Sequence, residues 1–225
     1  MTKKMKMKNV AAFVLWGGWF LSGCGGPVGR EMVSKLEPAQ ISEYEGQDLS
    51  SIDDFRENSI KGPQTVALDS YKLKVTGLVG KPLTLTYEQV LAHDLYSKVV
   101  TLHCVEGWDA TILWEGLLIG DLLQEAEVQE EAVIAIFHAA DGYTSSLPVD
   151  YLLDKEILLA HKLNGVTLPP ERGFPFQVVA EAKWGYKWVK WVTEIELSND
   201  PTYRGYWESF GYSNNGNLDQ PYFGP

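Results

Sequence analysis

The feature that most constrains the fold is a series of short apolar runs, each of strand length, that recurs between residues 71 and 197. Alternating or unbroken apolar runs of this length are typical of half-buried and buried strands. Because these strands predominate over helices, we predict a single α+β domain with a mixed sheet and short helices. The predicted strands are Tyr71–Val79, Val99–Cys104, Ala132–His138, Glu156–Leu163, Val166–Leu168, Phe176–Ala180 and Val189–Leu197.

Three local signals refine this prediction. Thr86 and Gln89 have the spacing of a capping box, which predicts a short helix ending near His93. Leucines at helical spacing predict a second helix over residues 117–125. Asn164-Gly165 lies between two apolar runs and predicts a hairpin with a type I′ turn.

The charge balance excludes one class of partner. The chain has 19 basic and 30 acidic residues and a formal net charge of −11. Because polyanion binding requires many cations that neutralise phosphates, we expect no nucleic-acid partner. The eight tryptophans and eleven tyrosines are concentrated toward the C-terminal half. They predict either an aromatic-walled pocket or ordinary core and surface aromatics.

The N-terminus has the layout of an export signal. Four lysines precede an uncharged, mostly apolar run at Val10–Phe20, which is shorter than the roughly 20 residues that cross a bilayer. The following Leu-Ser-Gly-Cys, ending at Cys24, resembles the lipobox of bacterial lipoproteins. We therefore predict a lipoprotein signal peptide at residues 1–23 and lipidation of Cys24, with the protein exported, anchored to the cell membrane and facing the periplasm or exterior. The alternatives are an uncleaved anchor and a non-lipidated secretory signal.

Cysteine usage then singles out Cys104. Residues 24–54 are polar and acidic and predict a flexible tether, and the chain has two cysteines in all. If Cys24 is lipidated, Cys104 has no partner, and a lone thiol in an oxidising compartment is a liability unless it is buried or binds a metal. Its predicted position at a strand end favours a functional site. A buried structural cysteine is the alternative.

Three sequence blocks at and after Cys104 carry a family resemblance. They are Thr101–Trp108, Trp114-Glu115-Gly116 with Asp121-Leu122-Leu123, and the stretch from Gly173-Phe174-Pro175 through Lys190-Trp191. In this order and spacing they resemble the molybdopterin-binding domain of the sulfite oxidase superfamily. The Cys-Val-Glu-x-Trp run is most similar to the catalytic subunit of the periplasmic methionine-sulfoxide reductases. The resemblance covers residues 55–213 and leaves 214–225 as a C-terminal tail.

The resemblance implies a molybdenum–molybdopterin cofactor with Cys104 as the metal ligand, and a soft thiolate suits this metal. The basic cluster of Lys183, Lys187 and Lys190, together with Arg172, is expected near the phosphate of the pterin. For these lysines the alternative is a solvated basic strand edge. For His138 the alternative is an ordinary core histidine. The implied cofactor-binding residues are Asn58, His138, Arg172, Lys187, Trp188, Val189 and Lys190.

Tyr143 matches the stretch where sulfite oxidases place an active-site tyrosine. The resemblance implies that its hydroxyl donates a hydrogen bond to an oxo ligand or to the transferred oxygen. The alternative is a strand tyrosine with its hydroxyl in water.

The chain departs from the sulfite-oxidising relatives where those enzymes have arginines for an anionic substrate, since Trp108 and Asp109 occupy these positions. We therefore predict two-electron oxygen-atom transfer on a small or peptide-borne S- or N-oxide. Sulfite-type oxidation and a non-catalytic surface lipoprotein that retains the fold are the alternatives. A thiol-based redox protein using Cys104 alone is also conceivable, but it lacks a resolving cysteine.

The expected partners follow from the motifs that are missing. No Cys-x-x-Cys-His haem motif occurs in the sequence, so we expect no haem and a separate electron-transfer protein, such as a membrane cytochrome. The dimerisation domain of the sulfite oxidases does not follow residue 213, and a monomer is expected. No twin-arginine pair precedes the apolar run, although related molybdenum enzymes are exported folded.

Overall fold

The computed structural model describes residues 39–224, and residues 3–5 by their backbone. The strands are β1 (Lys3–Met5), β2 (Glu43–Tyr44), β3 (Gln47–Asp48), β4 (Leu73–Gly77), β5 (Leu83–Leu85), β6 (Leu95–His103), β7 (Asp109–Leu118), β8 (Ile134–Ala139), β9 (Thr144–Pro148), β10 (Leu158–Leu163), β11 (Val166–Thr167), β12 (Gln177–Val179) and β13 (Val192–Ser198). The helices are α1 (Tyr87–Val90), α2 (Ile119–Glu125), α3 (Val149–Asp154) and α4 (Tyr206–Ser209), with 3-10 turns at Pro170–Arg172 and Gly185–Lys187.

The first sheet is antiparallel and is built on one long hairpin. Its strand order is β1-β6-β7-β10-β11, and β12 also pairs with β10. In the β6–β7 hairpin His103 lies opposite Asp109, so the connecting loop begins at Cys104. Gly116 in β7 permits a close approach to β10, because a Cβ atom there would lie 2.1 Å from the Leu159 carbonyl oxygen.

The second sheet has the order β5-β4-β13-β8-β9. It is a mixed sheet, because β13 runs parallel to β4 and antiparallel to β8. Side chains from both sheets meet in one hydrophobic core, which includes Ile112 and Leu158 from the first sheet and Val75, Phe137 and Ile195 from the second. The α+β class with a mixed sheet and short helices is therefore confirmed.

Each of the three local signals corresponds to an element of the structure, with shifted helix bounds, since α1 ends at Val90 rather than near His93. Thr86 and Gln89 form the reciprocal capping box of α1. Asn164 and Gly165 both have positive φ, 46° and 81°, as a type I′ turn between β10 and β11 requires. The second helix begins at Ile119 rather than at residue 117, because the two preceding leucines belong to β7 and pair with β10.

The boundaries predicted for the tether and the tail differ from the structure. Residues 39–54, assigned to the tether, pack on the domain, where Ile52 is fully buried and the Asn164 side-chain amide donates to the Ser50 carbonyl at 2.9 Å. Despite their polar composition, their backbone also bonds to the domain, since the Ile41 amide donates to the Asn164 carbonyl at 3.0 Å and the Ser50 amide donates to the Thr111 carbonyl at 2.8 Å. Residues 214–224, assigned to the tail, also contact it, since the Trp184 amide donates to the Gly216 carbonyl at 2.8 Å.

The predicted lipidation site Cys24 lies outside the described residues, as do the rest of the tether and, apart from β1, the predicted signal peptide. The backbone of β1 pairs antiparallel with the start of β6. Within the part of the chain that the structure describes, no helix is long and apolar enough to cross a membrane.

Candidate active site

The loop that joins β6 to β7 fixes the position of the Cys104 thiol. The Cys104 amide donates to the Trp108 carbonyl at 2.9 Å, and the Gly107 amide donates to the Cys104 carbonyl at 3.1 Å. Gly107 has a φ of +84°, a conformation that favours glycine. Since both ends of the loop are held by the ladder of a long hairpin, its backbone is well constrained, and Cys104 follows the strand end as predicted.

A cavity of about 290 Å³ opens beside Cys104. Its walls come from segments far apart in the sequence, including residues 55–60, the turn after β8, the 3-10 turn at residues 185–187, and α4 with the residues that follow it. Six of the residues predicted for the site line this cavity together: Asn58, Cys104, Tyr143, Arg172, Trp188 and Lys190.

The environment of Cys104 favours the protonated thiol when no metal is bound. Burial raises the pKa of the Cys104 thiol, and the negative charge of Glu106 adds to this effect. The Glu106 backbone amide, the Asn58 side chain and the positive charge of Arg56 lower the pKa but do not offset burial. The Asn58 amide nitrogen lies 3.7 Å from the Cys104 sulfur. A metal would have to displace the thiol proton in order to bind here.

The Arg172 guanidinium is committed to the protein backbone. It donates from Nε and Nη2 to the Ile52 carbonyl, at 3.2 Å and 2.9 Å, and from Nη2 to the Phe55 carbonyl. It also stacks 4.1 Å from the centroid of the Phe55 ring. Burial lowers the pKa of Arg172 to about 10. Arg172 therefore holds the segment that carries Phe55 and Asn58 against the cavity.

Lys190 lines the cavity and is partly neutralised by a neighbour. Its ammonium lies 2.7 Å from a Glu57 carboxylate oxygen and 3.3 Å from the Glu171 carbonyl. The same nitrogen lies 4.3 Å from the centroid of the Trp191 ring. Burial lowers the pKa of Lys190, while the Glu57 carboxylate opposes this shift. Lys190 is the lysine of the predicted basic cluster that is best placed to meet an anionic group in the cavity.

The Tyr143 hydroxyl is already engaged within the protein, since it donates to the Tyr186 carbonyl at 2.5 Å. Burial raises the pKa of Tyr143, with a smaller contribution from Glu208, so the phenol keeps its proton. A phenol has one proton to donate. The role predicted for Tyr143, donation to an oxygen in the cavity, requires the bond to Tyr186 to be exchanged.

Three of the predicted cofactor-binding residues do not line the cavity. His138 follows the inward-facing Phe137 in β8, so it projects from the opposite face of the sheet, where its Nε2 lies 2.9 Å from Glu196. Lys187 is fully buried against Glu208. Val189 is buried in the core, and its carbonyl accepts from the Val178 amide.

Several cavity residues were not identified from the sequence. Among them, Glu171, Gln177 and Ser59 carry buried oxygens without a hydrogen-bond partner within residues 39–224, and all three line the cavity. Gln177 had a usable signal, because it is a polar residue inside a continuous apolar run. The cavity residues missed by sequence reasoning include Ser59, Glu106, Asp141, Glu171, Gln177, Trp207 and Tyr212.

A buried thiol beside a cavity with unpartnered polar atoms is a candidate site for a ligand or cofactor. Comparison with known proteins identifies the family. The family model of the oxidoreductase molybdopterin binding domain matches residues 60–207, well over half of the chain. The chain therefore belongs to this family of oxidoreductases, as the resemblance predicted.

Relatives within the family have different names. An uncharacterized oxidoreductase, YuiH of Bacillus subtilis, is 37% identical over 146 residues, covering 64% of this chain and 73% of the relative. The methionine-sulfoxide reductase catalytic subunit MsrP of Gluconobacter oxydans is 30% identical over 145 residues, covering 56% of this chain and 46% of the relative. A putative subunit of such a reductase, YedZ1 of Azospira oryzae, is 31% identical, covering 64% of this chain and 55% of the relative.

Among solved structures, the sulfane dehydrogenase SoxCD of Paracoccus pantotrophus matches with a TM-score of 0.59 and 25% identity. The match covers 62% of this chain and 41% of that one. This chain thus spans about half the length of the MsrP and YedZ1 relatives and less of the SoxCD chain.

The residues at the cavity fit a molybdopterin. The unpartnered oxygens of Ser59, Glu171 and Gln177 are acceptors that require donors, and the ring N–H groups of a pterin are donors of this kind. Within residues 39–224, no group of three or more His, Cys, Asp or Glu side chains is arranged to hold a metal ion. A metal beside Cys104 would take ligands other than such side chains, and the dithiolene of a molybdopterin would supply them.

Proposed function

We propose that this protein is a molybdopterin-dependent oxidoreductase in which Cys104 is the protein ligand to the metal. The observation that carries the proposal is the placement of Cys104, the single cysteine of the described residues, beside a cavity with buried, unpartnered acceptors. When bound, the cofactor supplies two-electron oxygen-atom transfer. Asn58 and the closed loop after β6 orient the sulfur, Lys190 is available to the phosphate, and the aromatic walls exclude water from the cavity.

We infer a neutral S- or N-oxide as the substrate, either small or carried on a peptide. The cavity lining contains the acidic residues Glu106, Asp141 and Glu171, so its charge does not favour an anion such as sulfite. Of the three basic residues in the lining, Arg172 is bonded to backbone carbonyls and Lys190, paired with Glu57, is assigned to the phosphate, which leaves the exposed Arg56 against three carboxylates. The names of the MsrP and YedZ1 relatives support a sulfoxide. Sulfite-type oxidation is the second candidate within the same family.

The remaining parts of the proposal concern partners and location. We propose that electrons are exchanged with a separate carrier protein, such as a membrane cytochrome, that no haem is bound, and that the domain acts as a monomer. We also propose export and attachment to the membrane through a lipid on Cys24. The lysine-rich start and the lipobox-like Leu-Ser-Gly-Cys support the location. Radiolabelled palmitate should enter the native protein and not Cys24→Ser; equal labelling of both would refute lipidation at this site.

The central experiment measures metal, pterin and turnover on the same preparations of protein from the native host. The parent should contain about one molybdenum and one pterin per chain and should reduce methionine sulfoxide with a reduced dye faster than it oxidises sulfite. Cys104→Ser should lose turnover, because a hydroxyl is a poor ligand for this metal. Thr101→Val is the matched control, since Thr101 lies on β6, the strand that leads to Cys104, and bonds Thr111 outside the cavity.

Two outcomes would contradict the proposal. Full turnover in Cys104→Ser, with its metal retained, would refute the ligand assignment. A native protein free of both molybdenum and pterin, and without activity, would instead indicate a non-catalytic surface lipoprotein that keeps the fold. Faster sulfite oxidation than sulfoxide reduction would leave the cofactor assignment intact and reverse the substrate.

A further inference from the structure

Lys187, which the family resemblance places near the cofactor phosphate, is paired with another protein group. Its ammonium lies 2.6 Å from a carboxylate oxygen of Glu208, and both side chains are fully buried. The Ser145 hydroxyl donates to the same oxygen at 2.6 Å, and Lys187 also donates to the Asn214 carbonyl at 2.9 Å. The charge of Lys187 is therefore balanced inside the protein, and it does not line the cavity.

This ion pair joins a segment that has little structure of its own to the rest of the domain. We define the C-terminal strap as residues 205–213, which contain α4 and the turn after it. The helix α4 has four residues, too few to be stable by itself. Within the strap, Glu208 contacts the 3-10 turn through Lys187 and strand β9 through Ser145, so two elements of the domain meet at one carboxylate.

Two glycines show how closely the backbone packs around the pair. A Cβ atom on Gly205 would lie 2.4 Å from the Thr144 carbonyl oxygen and 2.8 Å from a Glu208 carboxylate oxygen. A Cβ atom on Gly216 would lie 2.5 Å from the Lys187 side chain. The chain on either side of Glu208 thus approaches β9 and Lys187 at distances that only glycine permits.

The strap matters to the site because it carries part of the cavity wall. Trp207 and Tyr212 line the cavity, and the Tyr206 ring lies 5.9 Å from the ring of Tyr143. The Tyr186 hydroxyl donates to the Ser213 carbonyl at 2.7 Å. Movement of the strap would displace both aromatic walls and the contacts that hold Tyr143.

We propose that Lys187 and Glu208 are positioning residues, and that their buried ion pair is a latch that holds the C-terminal strap so that Trp207 and Tyr212 form the cavity wall. Neither residue touches the cavity, so both act through the strap. The latch itself does not depend on the bound cofactor. The kinetic part of its test rests on the proposed function, whereas its structural part does not.

Hydrogen exchange of the full-length protein, followed by mass spectrometry, tests the latch directly. In Glu208→Gln and in Lys187→Met we expect the exchange rate of peptides from residues 205–213 to rise by at least about tenfold. The reason is that each change leaves the charge of the other residue buried without its partner. Exchange in β10 should not change. Lys81→Met is the matched control, since its ion pair with Glu125 is exposed and exposed pairs contribute little.

A second variant frees the strap without altering any charge. Gly205→Ala forces a Cβ atom against the Thr144 carbonyl, and it should raise exchange in residues 205–213 as the ion-pair variants do. If Lys187→Met yields no folded protein, Ser145→Ala removes one hydrogen bond from Glu208 and should give a smaller rise of the same kind. Lys187→Met/Glu208→Gln should exchange no faster than the faster single variant, because the two residues act as one unit.

Pterin content and kinetics separate the latch from a phosphate-binding role. A latch predicts that Lys187→Met and Glu208→Gln behave alike, with similar pterin content and a KM that rises more than kcat falls. The proposal is wrong if Lys187→Met alone loses pterin while its strap stays protected. It is equally wrong if neither Glu208→Gln nor Gly205→Ala alters exchange in residues 205–213. A protein without molybdenum that still shows the exchange changes would refute the proposed function and leave the latch intact.

Discussion

Replacing Arg172 with methionine tests whether one buried side chain holds the segment that carries Asn58 toward Cys104. Arg172 is 6% exposed and donates three hydrogen bonds to the carbonyls of Ile52 and Phe55. Methionine has a similar length and fills much of the same space, but it has no donor. The substitution therefore removes the hydrogen bonds and the stacking on Phe55 while it keeps the packing.

The size of the effect follows from these contacts. Two buried carbonyls lose their donor, at about 1–3 kcal/mol each, and the loss of the stacked guanidinium adds about 1 kcal/mol. We expect Arg172→Met to lower the free energy of unfolding by about 4 kcal/mol. For a chain of this size that corresponds to a fall in Tm of roughly 8–16 °C.

Thermal and urea unfolding, followed by circular dichroism on cofactor-free protein, measure this difference. Arg56→Met is the control, because Arg56 is also at the cavity but exposed, and it should change the unfolding free energy by less than about 0.5 kcal/mol. Arg172→Lys should recover little, since one ammonium cannot reproduce the planar fork. A loss below about 1 kcal/mol in Arg172→Met would show that water replaces the guanidinium, and the reasoning would fail.

Two further predictions concern Glu171 and Asn164. Burial raises the pKa of Glu171, so its contribution to stability is present below its ordinary pKa and is lost as the pH rises through the raised value. Glu171→Gln should therefore raise the Tm of the cofactor-free protein at pH 7 and not at pH 4; an equal difference at both pH values would contradict this. Asn164 is fully buried, accepts from the Leu113 amide and donates to the Ser50 carbonyl. Asn164→Ala should lower the unfolding free energy by about 3 kcal/mol. Asn164→Gly should lower it less if backbone strain contributes, because glycine adopts the positive φ without strain. A loss below about 1 kcal/mol in the alanine variant would show that these bonds are replaced by water.

The elements predicted well are those whose causes lie within a few residues. The capping box of Thr86 and Gln89, the Asn164-Gly165 turn and the strand that ends before Cys104 all depend on neighbouring side chains and backbone conformation. The long strand β7 was missed, although it pairs along the full length of β6. Its sequence does not alternate strictly between polar and apolar residues, because both faces of the strand are largely covered.

The tether boundary was misplaced for a related reason. Residues 39–54 are polar, and their composition alone predicts a chain that cannot bury enough apolar surface to fold. They are held by the domain instead, through the buried Ile52 and the hydrogen bonds of Asn164 and Arg172. These partners are more than 100 residues away along the chain, so no local pattern marks them.

The sequence by itself determined the α+β class, the family and the cysteine at a strand end, because apolar periodicity, turn residues and ordered motifs are local properties. The tertiary structure alone decided which charges meet. The lysines of the basic cluster each find a distant partner: Lys183 with Asn217, Lys187 with Glu208 and Lys190 with Glu57. A sequence reveals that a charge is present, but its partner depends on the order of strands and the path of the chain. The burial of an ion pair, which decides how strongly the pair affects stability, is established only when the sheets and the C-terminal strap pack against each other.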